Sequence, residues 1–235
     1  MTDKGQAGSG RKRTVGRPRR IEAQQIVDVA RRIIREEGVE AVSMRRVAKE
    51  VGATPMALYH HVRDKDELLL LTLQGMAATF PRPALPADPR DRLLTTAVHM
   101  HTILSEVPWV LDVLSLGDLT DKEALWMPEE IIGSAIACGL TPTQALHAYR
   151  TIWYVVYGAL VFQRADARRA ADPERRPFFP TFLTEEDAVA LPRMTEMAAN
   201  WQESKGRYDI AEQLEAVVDG LLRKGRRHAS QSPNS

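Results

Sequence analysis

Ser43-Met44-Arg45-Arg46-Val47-Ala48-Lys49-Glu50-Val51-Gly52-Ala53-Thr54-Pro55-Met56-Ala57-Leu58-Tyr59-His60-His61-Val62-Arg63-Asp64-Lys65 is the stretch on which the reading of this chain turns. Its end signals describe two short helices. Ser43 is a good N-cap for the first, and Gly52, after Val51, a good left-handed stop. Thr54 then caps a second helix whose first position is Pro55, where a missing N–H costs nothing. Val47, Val51, Leu58 and Val62 can face inward as a small core. Arg45, Arg46, Lys49, Pro55, Ala57, Tyr59 and His60 keep outward or edge-on options. Helix, tight turn and helix in this layout describe a helix-turn-helix whose second member enters a DNA major groove.

The run Val42 to Leu69, with Leu58-Tyr59, His61-Val62, Asp64-Lys65 and Glu67-Leu68-Leu69, resembles the DNA-binding domain of the TetR family of bacterial transcriptional regulators. With the preceding helix the likeness covers about residues 20–75. The rest of the chain is similar to a tetracycline-repressor-type effector domain in length, helical pattern and loop placement. Position by position, the resemblance implies that Tyr59 and Lys65 grip phosphates and that Arg45 reaches a base edge or the backbone. It further implies that Pro55, Ala57 and His60 lie against bases, with Thr54 and Met56 allowing close approach. The family often has another aromatic residue where His60 stands, so base preference is not carried over. His61 has two open readings, a DNA contact and a domain-packing residue.

Working outward toward the N-terminus, Ile26, Val29, Ala30, Ile33 and Ile34 form one stripe of an amphipathic helix ending at Gly38. Residues 1–19 are rich in Gly, Lys and Arg and lack periodicity, which predicts a flexible basic arm. Within it, Arg17 and Arg19 flank Pro18 in a Gly-Arg-Pro core that resembles a minor-groove hook. General attraction of a solvated tail to phosphate is the alternative.

Charge supports one DNA-facing end. Residues 1–65 hold 15 Lys and Arg against 8 Asp and Glu, whereas the remainder holds 17 against 23, although the net charge of the chain is only +1. With 235 residues, 44% of them apolar, the chain can build a proper core. Its single cysteine, Cys138, excludes an internal disulfide framework and a cysteine-based zinc cluster. The N-terminus carries no apolar signal segment, and the longest apolar run, Trp153 to Phe162, is far shorter than a membrane span. A cytoplasmic protein, bound to the nucleoid through DNA, is expected, with no membrane partner.

Toward the C-terminus, Asp64 can cap a fourth helix with Glu67 at its third position, continuing to Phe80. Four prolines between Pro81 and Asp91 mark a connection. Helices then follow over Arg92 to Glu106, from Pro108, over Asp121 to Gly139, over Thr141 to Ala171, from Thr184 through Trp201, and over Tyr208 to Lys224. No stretch alternates as a strand does. The expectation is an all-α chain of nine or ten helices: an arm at 1–19, a helix-turn-helix DNA-binding domain at 20–66, a larger ligand-binding and dimerisation domain at 67–224, and a disordered tail at 225–235.

One such reading head makes few base contacts, so useful specificity requires two copies on an inverted-repeat operator of double-stranded DNA. The resemblance implies a homodimer through the helices at 141–171 and 208–222. Core packing within one chain accounts equally well for the stripe Leu214, Val217, Val218 and Leu221.

The helices from Arg92 to Gln163 gather most of the aromatic side chains, which fits a small-molecule cavity as well as an ordinary core. The candidate lining residues are His99, Met100, Ile103, Trp109 and Leu116, with Trp126, Ile131, Tyr149, Trp153 and Tyr157. Where tetracycline-binding members of the family place a magnesium-binding His before Leu-Gly, this chain has Ser115-Leu116-Gly117, so neither a metal nor another cofactor is expected. His99 and His101 point to nearly opposite faces of a helix and cannot share a metal. No Gly-rich phosphate loop, nucleophile elbow or His-Glu-x-x-His occurs, which argues against an enzyme. The function expected is a repressor that binds a palindromic operator and is released by a hydrophobic or aromatic small molecule, an antibiotic or other secondary metabolite being suitable. A ligand-independent regulator or an activator of the same fold is the alternative.

Overall fold

The computed structural model describes residues 22–117, 119–172, 174, 183–184, 186–198 and 200–229. Arg17, Arg19 and the rest of the expected arm lie outside the described residues, as does the end of the expected tail. The chain is all-α: a helix-turn-helix domain leads into a larger helical domain, and among the described residues there are twelve α-helices and no strand.

The head consists of α1 (Ala23–Glu37), α2 (Met44–Val51) and α3 (Pro55–Tyr59). Ile26, Ala30, Ile33 and Ile34 of α1 meet Val47, Ala48, Val51, Leu58 and Val62 in a closed core. The local signals act as chemistry requires. Ser43 Oγ accepts the Arg46 N–H at 3.2 Å, and Thr54 Oγ1 accepts the Ala57 N–H at 3.2 Å. Gly52 adopts φ +74°, which lets the Ala53 N–H return to Ala48 O at 2.8 Å and close the end of α2. An ion network braces α1 against α2: Glu50 takes both Arg32 and Arg46, and Arg46 also reaches Glu37 at 2.8 Å.

Helix α4 (Lys65–Leu73) packs on α1. Asp64 Oδ1 accepts the Glu67 N–H at 2.8 Å, while the Glu67 carboxylate turns back to the Arg63 N–H at 2.6 Å. The helix ends well before Phe80. Gln74 leaves the helical conformation, Gly75 follows at φ +78°, and a short 3₁₀ turn occupies Ala77–Thr79. Its last carbonyls are capped from α1, where the Arg31 guanidinium donates to Thr72 O at 2.8 Å and to Gln74 O at 2.9 Å.

The body comprises α5 (Pro89–Glu106), α6 (Trp109–Leu114), α7 (Trp126–Ala137), α8 (Pro142–Ala170), α9 (Asp187–Ala190), α10 (Pro192–Ala198), α11 (Trp201–Gly206) and α12 (Ile210–Ala229). Helix α5 starts one turn earlier than the proline count predicts, because Asp88 caps it and Pro89 takes its first position. It packs against α7, α8 and α12. Thr141 and Gln144 form a reciprocal capping box at the start of α8.

Two further expectations need correction. The helix expected over 121–139 begins as a 3₁₀ turn at Lys122–Ala124 before α7. The single helix expected from Thr184 through Trp201 is three short ones, because Pro192 interrupts the ladder between α9 and α10. In α12, Leu214, Val218 and Leu222 are buried within this same chain, where α12 packs on α5 and α8, and Val217 and Leu221 are partly buried against the same core. Two clamps hold the layers in place. Arg90 of α5 donates to Asp219 at 2.7 Å and Glu215 at 2.8 Å on α12, and Arg164 of α8 grips both carboxylate oxygens of Asp112 on α6 at 2.6 and 2.9 Å.

Candidate nucleic-acid interface and internal cavity

The turn between α2 and α3 presents Arg45, Lys49, Met56, Tyr59, His60 and His61 to solvent. Tyr59 is 49% exposed and Met56 69%. Arg46, by contrast, is committed to Glu37 and Glu50. The side chains of Arg45, Lys49, Tyr59, His60 and Lys65 make no hydrogen bond or ion pair among the described residues. Five cationic or donor groups with unused hydrogen-bonding capacity therefore surround a helix start made of Thr54, Pro55 and Ala57, where small side chains permit close approach. Thr54 has a second duty, since its hydroxyl oxygen already accepts from the backbone.

Behind the head lies a cavity of about 350 Å³. Its walls are drawn from the end of α4 and the segment after it (Leu73, Met76, Phe80), α5 (Met100, Ile103, Leu104), α6 (Val110, Leu114) and the start of α7 (Met127, Pro128). Tyr149 and Trp153 of α8, with Gly117, Leu119, Thr120, Asp121, Ala124 and Leu125 between α6 and α7, complete it. The lining is mostly apolar with few polar groups, as small-molecule sites are. Burial pushes the Tyr149 hydroxyl above its ordinary pKa, so it stays protonated and can donate.

Of the ten residues the sequence nominates, Met100, Ile103, Tyr149 and Trp153 come together on this wall. Tyr157 sits one turn further along α8, its ring 5.8 Å from that of Trp153 and outside the lining. His99 and Trp126 pair with each other at 5.7 Å, with the Arg82 guanidinium 4.9 Å over the Trp126 ring. Ile131 is fully buried in the body core, and Leu116 is 46% exposed. Trp109 borders a different groove, between α1 and the C-terminal part of α8.

The residue that sequence reasoning missed is Asp121. It lines the cavity and is 6% exposed, yet its only sequence signal is that of an ordinary helix cap. Its Oδ1 accepts the Glu123 N–H at 3.1 Å, and its Oδ2 accepts the Ala77 N–H at 3.2 Å, reaching the turn that follows α4. No group of three or more His, Cys, Asp or Glu suited to a metal occurs among the described residues. Nor is any described helix long and apolar enough to cross a membrane.

A helix-turn-helix with free donors, joined through one helix to a hollow helical body, is the layout found in DNA-binding transcriptional regulators. Comparison with known proteins finds similarity to regulators of this kind. Residues 26–72 match the family model for bacterial regulatory proteins of the tetR family. The HTH-type transcriptional repressor DrrR1 of Streptomyces coeruleorubidus is 28% identical over 220 residues, covering 91% of this chain and 82% of its own. Among solved structures, apo ActR from Streptomyces coelicolor superposes with a TM-score of 0.64 at 19% identity, covering 89% of this chain and 98% of that one. ActR is also known in complex with (S)-DNPA, with a TM-score of 0.61. Mycobacterium smegmatis BioQ gives a TM-score of 0.60 at 21% identity, covering 87% of this chain and all of its own, and BioQ has been solved with its double-stranded DNA operator. The matched stretch spans the helix-turn-helix head, and over most of its length the chain is similar to a transcriptional repressor.

Proposed function

We propose that this protein is a repressor that binds an inverted-repeat operator as a homodimer and leaves it when a hydrophobic, aromatic small molecule fills the 350 Å³ cavity. The observation that carries the reading is that the wall of the cavity includes Leu73 and Met76, at and just beyond the end of the helix that packs on α1 of the head. A guest cannot press on that wall without pressing on the element that sets the angle of the reading head. The repressor name of DrrR1, the operator complex of BioQ and the (S)-DNPA complex of ActR support the same assignment.

On DNA, Tyr59 and Lys65 hold phosphates, Arg45 reaches in from α2, and Thr54, Pro55, Ala57 and His60 lie along the base edges. Arg17 and Arg19 add contacts from the arm. The two copies meet through α8 and α12. On α8, Tyr154 and Val161, seven residues apart and so on one face of the helix, are 56% and 42% exposed in the single chain, and pairing would cover them. A hundredfold loss of operator affinity requires about 2.7 kcal/mol of coupling, which one buried guest can supply through preference for one head angle.

The test is a fluorescence anisotropy titration of palindromes from the region around the coding sequence, repeated with a panel of apolar aromatic compounds. Tight binding to one palindrome and its release by a subset of compounds support the reading. Binding that no compound of the panel affects supports a regulator that works without a ligand.

A further inference from the structure

Asp121 is the only charged residue among the buried ones of the described residues, and it stands in the wall of the cavity. A carboxylate withdrawn from water is costly unless something compensates it. Two backbone N–H groups do so in part, one on each oxygen, from Ala77 and Glu123. An ionised carboxylate can accept about four hydrogen bonds, so half of its capacity is open. No Lys, Arg or His lines the cavity to use it; the neighbouring Lys122 is exposed and outside the lining. Tyr149 and Trp153 also line the cavity, and aromatic rings attract cations.

We infer that the cavity selects an aromatic guest carrying a basic nitrogen, whose cation pairs with Asp121; this rests on the cavity being the effector site. Neutral guests of the same shape gain only burial, and anionic ones meet an uncompensated like charge. The pairing has a direct mechanical consequence. One of the two Asp121 oxygens already holds the Ala77 N–H, in the turn that leaves α4. A guest drawn to Asp121 therefore competes for the bond that fixes this turn, and occupancy is felt at the junction between head and body.

The test uses three probes of one skeleton, naphthylbutylamine and the corresponding alcohol and carboxylic acid, titrated calorimetrically into the DNA-free 235-residue chain. The amine should bind at least tenfold more tightly than the alcohol, with the acid weakest. Asp121→Asn should bring amine and alcohol within about twofold while leaving the alcohol unchanged. Equal binding of amine and alcohol by the unmodified chain, or a preference that survives Asp121→Asn, overturns the inference and leaves the effector-site reading intact. Failure of all three to bind, or binding that Trp153→Ala does not touch, overturns that reading and this inference with it. The unmodified chain alone decides the matter if the variant does not fold.

Discussion

The Arg31 guanidinium on α1 donates to the Thr72 carbonyl at the end of α4 across 2.8 Å, and its second nitrogen reaches Gln74 O. Head and transmission helix are thus joined by charge-assisted bonds to carbonyls that have no partner within their own helix. Arg31→Ala should lower stability by about 1–2 kcal/mol, measured by urea unfolding. Effector response should weaken more than operator affinity, because the bonds transmit rather than read.

Tyr59 stands half in water with its hydroxyl unused. Tyr59→Ala should weaken binding by roughly tenfold across different DNA sequences, equivalent to about 1.4 kcal/mol, without changing the unfolding midpoint. Tyr59→Phe should recover the part that does not need the hydroxyl. Unaltered operator affinity in electrophoretic shift assays refutes the assigned grip.

Trp153 forms part of the cavity wall and supports Tyr157 at 5.8 Å behind it. Trp153→Ala should shift the effector concentration needed for release upward by at least tenfold while operator affinity changes no more than about threefold. The reverse pattern marks Trp153 as ordinary core.

Glu50 joins α1 to α2 through Arg46 and Arg32, whose hydrogen bonds hold its carboxyl below the usual glutamate range. A carboxyl that ionises at lower pH when folded than when unfolded stabilises the fold above the ordinary range and loses that contribution as pH falls through it. Glu50→Gln should therefore destabilise the protein at neutral pH, and the difference from the unmodified chain should shrink between about pH 5 and pH 3. Thermal unfolding at a series of pH values checks this; a gap independent of pH contradicts it.

The head was legible because its signals are local. Ser43, Gly52, Thr54 and Pro55 each act on backbone groups within a few residues, and the α1 stripe needs only helical spacing. The limits of α4 were less readable, since its end depends on Arg31, about forty positions earlier in the chain. Pro192 did carry a break signal that the long apolar-polar pattern around it concealed. In the body, composition identified the right helices but not their rotation. His99 and Met100 are neighbours on α5, yet only Met100 lines the cavity, because packing against α7 and α8 sets which side faces in. Asp121 could not be found by spacing at all, since its partner Ala77 lies 44 residues away.

The central claim is that filling the cavity moves the reading heads off DNA. Its most direct measurement follows one labelled palindrome by anisotropy while a cavity-binding compound is added, with occupancy followed in parallel by calorimetry. Release that tracks occupancy over the same concentration range is the predicted result; full operator binding at saturating occupancy contradicts the account.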